Sequence, residues 1–360
     1  MPASDWIQLF NGKDLKDWVP KLVGTPAGQD PYDTWSVKDS ILWVDYKNYG
    51  GQFNGHFGHL AYQKRKFSYY VFHVESNHWG TPIAGAPDWG YQNNGVMFHS
   101  QSMESMGINQ DFPDCIEYQL LGENNHLNSD KTTGNGTTAN MCGGGNTAII
   151  NGTRQSPQCF NSKHVQIDSS HWVVTEGLVL GDSVVKHMVS GNPSRPVDTV
   201  LTYTKIQHSG TGLPMTDGYL AIQAESTPWK FKTIKVLDLE GCMDPKFATY
   251  RSYFIKSNPA ACSGTTRASD RPIPAGYALT VAHGMARLSL PRNGGLYRLA
   301  VSDIQGNLRM TQEAEPGKEA RIPISGLEPG IYFLRVSGAR PDGIPDAKSD
   351  YRFKFTKMAP

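Results

Sequence analysis

The chain reads as an all-β protein of two domains, and three observations predict this. Glycine (37) and proline (23) are abundant among 360 residues and aromatics make up 11%, a mix suited to many short strands joined by turns. Apolar residues alternate at period two in run after run, and no long segment repeats at helical spacing. A turn-rich stretch from Pro245 to about Pro274, containing CSGTTRASDRPIP, separates a longer first part from a shorter second. The first domain is expected over 1–245, a linker over 246–274 and a second domain over 275–360.

Charge narrows the function. Lys and Arg number 34 against 33 Asp and Glu, a formal net charge of +1, so no field of one sign favours nucleic acid or a membrane surface. No apolar run approaches the roughly 18 residues a membrane-spanning helix needs. The opening MPASDW has no apolar signal-like core. Five cysteines give a compartment: Cys142 and Cys159 flank a glycine-rich loop, Cys242 and Cys262 bracket the segment after the last strands of the first domain, and Cys115 is left over. Two disulfides and one free thiol are expected, which implies an oxidising, secreted or cell-surface setting. The alternative, a structural metal site, lacks CxxC or CxH spacing.

The segment from Asn93 to Gly122, NNGVMFHSQSMESMGINQDFPDCIEYQLLG, carries the chemistry. Cys115, Glu117 and Gln119 alternate with Ile116, Tyr118 and Leu120, as on a strand with one open and one packed face. A neighbouring strand from Gly95 to Ser100 is expected to set His99 beside Glu117 and Gln119. Against this stands the ordinary reading of a surface glutamate as a solvated partner of Lys or Arg. Met97, Met103 and Met106 read as packing within an ordered loop. Trp79, Trp89 and Tyr91, in a Gly/Pro-rich insertion, are either anchors or stacking faces for a ligand ring.

The same segment resembles the 3-keto-disaccharide hydrolase family, from about residue 5 to 245. WIQLFNGKDLKDWVP (Trp6 to Pro20) is similar to its opening pattern, WSVKDSILWV (Trp35 to Val44) to its next hairpin, and FGHLAYQKRKFSYYVFHVE (Phe57 to Glu75) to the strands that follow. HWVVTEGLVLGDSVVKHMVSG (His171 to Gly191) resembles the late hairpin, and DGYLAIQAESTPWKFKTIKVLDLEGC (Asp217 to Cys242) the last strands. The resemblance implies a concanavalin A-like, glucanase-like jelly-roll sandwich. A narrower branch of the family is similar in HSQSMESMGINQDFPDCIEYQLLG, where His99, Gln101, Glu104, Asp111, Glu117 and Gln119 all match. The wider family often has arginine at the positions of His99 and His73, and the branch often has histidine at that of Thr227.

Retaining glucanases of the related fold place two carboxylates about 5–5.5 Å apart on one strand. Here those alternate positions are Cys115, Glu117 and Gln119, so that arrangement is missing. The family chemistry asks for less: a ketone at C3 acidifies the C2 proton, a base removes it, and the enolate expels the C1 substituent. Glu117 or His99 is the expected base and Gln119 its neighbour. Asn94, Gln101 and Gln119 are expected donors to the keto oxygen. Trp79, Trp89, Tyr91, Asp111, Gln223 and Glu225 complete the expected sugar-binding set. A divalent metal is the other way to polarise the ketone, with His56 and His59 as candidate ligands beside His99 and Glu117. The expected function is cleavage of a glycosidic bond in an oligo- or polysaccharide. A lectin-like module without catalysis, and an endo-glucanase with carboxylates elsewhere, are the alternatives.

From Tyr277 the runs YALTV, MARLSL, LYRLAV, NLRM, ARIPI, GIYFLRV and YRFKF alternate between the turn signals NGG, QGN, EPG and PDG. This predicts a small immunoglobulin-like β-sandwich. YRLAVSDIQGNLR, ISGLEPGIYFLRV and the terminal YRFKFTK resemble sorting domains of the type IX secretion system, which implies secretion machinery as a partner. An accessory spacer is the other reading.

Overall fold

A computed structural model describes residues 3–123, 137–156, 158–165, 170–190, 197–264, 276–292, 295–339 and 345–357. Strands dominate; the helical elements among the described residues are four short 3-10 turns, and no helix is long and apolar enough to cross a membrane. The chain forms two compact units, Ser4–Asp238 and a second gathering Leu239–Pro360.

The first unit is a sandwich of two antiparallel sheets. Seven strands form the sheet that carries the site. In spatial order they are Cys159–Phe160, Asn140–Cys142, Ile116–Leu121, Asn93–Ser100, Gly218–Ala224, Gly58–Phe67 and Trp18–Leu22. The facing sheet has ten strands, with Tyr69–His78, Val173–Leu180 and Val184–Ser190 beside Trp229–Asp238 at its centre. Period two fixes which side chains meet between them. Ile116, Tyr118 and Leu120 enter the core with Val96, Phe98 and Ile222, against Phe72, Val74, Val179 and Val236. Phe72 meets the Tyr118 ring edge-on at 5.9 Å. Gly177 makes room for it, since a Cβ there would lie 2.1 Å from the Phe72 ring.

Hydrogen bonds hold the polar groups around Tyr118. The Tyr118 hydroxyl donates to the Met188 carbonyl (2.9 Å), and His187, stacked on Tyr118 at 4.2 Å, contacts the Ala139 carbonyl and the Tyr203 hydroxyl. Burial lowers the His187 pKa to about 3, so it serves as a neutral hydrogen-bonding spacer.

Both expected disulfides are present, Cys142–Cys159 and Cys242–Cys262. Cys115 is the free thiol and is buried. The described part of the stretch expected to be a linker is ordered into the second unit. Glu240–Gly241 pairs with Lys256–Ser257, and Cys262 ties back to Cys242. Residues 265–274 of that stretch, the PDG turn and part of NGG lie outside the described residues. Further along, seven strands from Ala278 to Lys357 form a three-stranded and a four-stranded sheet around Leu288, Leu299, Val301, Ile322, Leu334 and Phe353.

Candidate active site

The open face of the seven-stranded sheet holds a groove of about 840 Å³, within the range of small-ligand sites. Strand register builds its floor. Gln119 lies opposite Gly95, Glu117 opposite Met97, and Gln223 opposite His59. Gly95 leaves a gap in the floor, because a Cβ on it would come within 2.1 Å of Glu117 Oε1. The Glu117 carboxyl therefore leans across Gly95 instead of standing upright on its own strand. Gln223 Nε2 donates to Glu225 Oε1 (2.6 Å) on the far side of that gap. Two carboxyls, two amides and Asn93 thus form the polar floor.

The walls differ. On one side Phe57 and Trp89 stack at 5.1 Å with nearly parallel planes. Trp89 is 39% exposed. Its turn is held by Thr227, whose hydroxyl accepts from Gln92 N and donates to the Gly90 carbonyl. The other side is polar: Asp111, Asp114, Asn146, Gln158 and Ser209, with the Cys142–Cys159 bridge among them. Asn146 Nδ2 donates to Asp114 Oδ1 and to the Cys115 carbonyl, fixing that wall. Among the described residues no Lys, Arg or His lines the groove, whereas four carboxyls do.

Burial without a counter-charge sets the protonation of the floor. Glu117 is 3% exposed, and desolvation pushes its pKa up to about 8. Glu225 is raised well above the usual carboxylate range, first by desolvation and then by the Glu117 charge, with the Gln223 hydrogen bond opposing. Glu117 Oε1, Glu225 Oε2, Gln223 Oε1 and Asn93 Oδ1 are buried atoms with no hydrogen-bond partner. Polar atoms in that condition suit a site that a polar ligand completes.

Several expected residues come together here: Glu117, Gln119, Asp111, Gln223, Glu225 and Trp89 all line the groove. Gln119 Oε1 accepts from Asn140 Nδ2 (3.1 Å), which orients its amide. Others go elsewhere. His99 has φ 50°, and this left-handed residue breaks the alternation of its strand. Its ring turns away from Glu117, with Nε2 at 3.1 Å from the Gly181 carbonyl and the ring against Tyr70. Gly218 accommodates the irregular backbone, since a Cβ there would lie 2.2 Å from the His99 carbonyl carbon. Burial lowers the His99 pKa to about 4. Asn94 lies opposite Leu120, a core residue, and so faces inward. It clamps the Gln223 carbonyl and the Gly95 N–H. Gln101 binds Ser105, Gln110 and Asp114 N, knitting its loop together.

Trp79 packs edge-on against Trp43 (5.3 Å) and, like Tyr91, does not line the groove. Cys115 packs with Met97, Met103 and Met106 under Phe112 rather than opening onto the groove, because the loop before it folds over that part of the sheet. The candidate metal ligands are separate. His56 contacts the Tyr32 hydroxyl and the Val23 carbonyl, while His59 is buried with its ring edge against Phe112. No group of three or more His, Cys, Asp or Glu among the described residues is placed to hold a metal.

Sequence reasoning missed Phe57, Asn93, Asp114, Asn146, Gln158 and Ser209. It also assigned Glu225 to sugar binding alone, without its pairing to Glu117. The spacing of Gln223 and Glu225, two apart as in Glu117 and Gln119, was the available signal.

Among known structures, the chain is similar to the exoplasmic/lumenal domain of VIP36 in its Ca2+/Man3GlcNAc-bound form (8% identity, 64% of this chain and 86% of that one, TM-score 0.39). It is also similar to a beta-porphyranase from the human gut bacterium Bacteroides plebeius (13% identity, 66% and 90%, TM-score 0.37). A galectin-like protein from Bacillus subtilis gives 10% identity, 64% and 97%, and TM-score 0.37. Likeness at that level carries no argument about the fold or the site. No curated protein matches the chain. The family model described as 3-keto-alpha-glucoside-1,2-lyase-like domain matches residues 5–237. The chain therefore belongs to that family, and its first unit is a carbohydrate-active or carbohydrate-binding module.

Proposed function

We propose that the groove cleaves the glycosidic bond of a 3-keto sugar, with Glu117 as the base at C2 and Glu225 as the proton donor to the leaving oxygen. The observation that carries this is a pair of buried carboxyls in one groove, Glu117 leaning over Gly95 and Glu225 near enough to feel its charge, both with raised pKa values and with no cation lining the groove among the described residues. Interacting carboxyls in such a place do not ionise together; above about pH 8, where Glu117 has released its proton and Glu225 keeps its own, the pair supplies a base and an acid at once. The base takes the C2 proton and the C–H electron pair enters the C2–C3 enolate. Collapse of the enolate forms C1=C2 and expels the C1 oxygen, which takes the proton of the acid. Water then adds at C1. Gln119 and Gln223 are the amide donors nearest to the floor, suited to the enolate oxygen. Trp89 and Phe57 supply a face for a sugar ring.

The pair also supports a second reading, a hydrolase of unoxidised glycosides with its carboxyls on two different strands. One experiment separates them. A 3-keto disaccharide deuterated at C2 should lose the label during cleavage, and the unoxidised disaccharide should turn over poorly. Retained label with fast cleavage of the unoxidised sugar would establish the second reading instead. Glu117→Gln should lower turnover by roughly 100-fold or more, the scale of a lost general base. If neither sugar is cleaved and both bind, the module is a lectin.

The two disulfides support a secreted or cell-surface setting. In that setting the C-terminal strands serve as a sorting or spacer module. Removing residues 275–360 should then leave turnover unchanged; a loss of turnover together with a lower Tm would count against it.

A further inference from the structure

The second unit has a cavity of its own, about 700 Å³. It opens where the strand Ala278–Ala282, the terminal strand Pro345–Lys357 and the segment from Met243 to Phe254 come together. Among the described residues its charged lining is Arg251, Arg352 and Lys354. Arg352 and Lys354 have no carboxylate partner among the described residues. The Lys354 ammonium donates to the Phe254 carbonyl and is half-buried, and desolvation lowers its pKa. Tyr250, Phe254 and Tyr277 supply aromatic surface, and Met243 and Val281 are exposed at the cavity.

Arg352 and Lys354, with no carboxylate partner among the described residues and set among aromatic faces, match a ligand with an oxyanion on a ring-shaped body. We propose that this cavity binds an acidic glycan, its carboxylate or sulfate between Arg352 and Lys354 and its sugar ring against Tyr250 or Tyr277. The glycan is favoured over an acidic peptide because Tyr250 and Tyr277 in the lining offer faces that suit pyranose rings. The assignment does not rest on the chemistry of the groove.

The test is calorimetric titration of the full chain with an oligogalacturonate and a sulfated galactan oligosaccharide, with a neutral cello-oligosaccharide and poly-glutamate alongside. Binding of either acidic glycan, weakened at least ten-fold in Arg352→Ala/Lys354→Met and unchanged in Glu117→Gln, supports the assignment. Binding of only one of the two identifies the oxyanion as carboxylate or sulfate. Arg352→Glu, a change at an exposed position, should abolish binding while leaving Tm and turnover in place, which separates recognition from folding. Absence of acidic-glycan binding, persistence in the variants, or poly-glutamate binding as tightly as the glycan would overturn it.

Discussion

The groove of the first unit and the cavity of the second differ most in charge. Among the described residues, four carboxyls and no cation line the groove, whereas three cations and no carboxyl line the cavity. Their burial also differs. Glu117 and Glu225 are almost wholly enclosed, so each is held toward its neutral form and can exchange a proton. Arg352 is exposed. On the readings proposed above, the groove uses enclosed acids and discriminates by chemistry at a neutral sugar, whereas the cavity discriminates by charge, with Arg352 kept close to water.

The largest expected effect tests this difference through stability against pH. An unfolded glutamate releases its proton near 4.5, whereas folded Glu117 holds it to about 8. Between those values the folded state binds more protons, so stability falls as pH rises and the penalty is complete above about 8. Glu117→Gln removes that penalty and the charge that helps raise Glu225. The variant should be more stable than the parent by the order of a few kcal/mol at pH 8.5, since each pH unit separating the folded from the unfolded titration is worth about 1.4 kcal/mol. The difference should vanish near pH 4. Urea unfolding at both pH values measures it. Equal stability at pH 8.5 would show that Glu117 is solvated and paired. Lys354 has the opposite sign: its lowered pKa costs stability at neutral pH, and relief comes only as pH rises toward 10.5.

A smaller effect is expected at Gly95. The Glu117 carboxyl occupies the place of a Cβ there. Gly95→Ala should displace it and destabilise the first unit by roughly 1–3 kcal/mol, as overpacking does. Turnover should fall while binding to the C-terminal cavity stays as it was. Unchanged turnover in Gly95→Ala would mean that the leaning position of Glu117 is unimportant to the reaction.

The sequence made part of this legible. Alternation alone told that Glu117 and Gln119 share a face opposite Ile116, Tyr118 and Leu120, since a half-buried strand leaves no other arrangement. Cysteine spacing was enough for both disulfides. His99 was misplaced because alternation assumes regular backbone, and a single residue at φ 50° with a glycine behind it reverses its side. Asn94 failed for a different reason: its face depends on lying opposite Leu120, and register between strands is not written in either strand alone. The partnership of Glu117 with Glu225 was hidden for the same reason. Their strands are separated in the sheet by Asn93–Ser100 and in sequence by the whole late hairpin. The polar wall at Asn146, Gln158 and Ser209 comes from loops, which carry no periodicity to read.

The smallest expected effect concerns the aromatic wall, and it sharpens what each region recognises. Trp89 stacks on Phe57, and its outer face is open to the groove. Neither side chain can take or give a proton in the reaction, so their contribution is to hold the ring of the sugar. An aromatic contact of this kind contributes about 0.5–1.5 kcal/mol, which corresponds to roughly 2- to 13-fold in affinity. Trp89→Ala should therefore raise KM by that factor and leave kcat nearly unchanged, the pattern of a contact made equally in the ground and transition states. The same substitution should not alter binding of acidic glycans, and raised salt should weaken those glycans while leaving KM in the groove unaffected. A fall in kcat without a change in KM would instead place Trp89 in the transition state, where it would position the leaving group over Glu225.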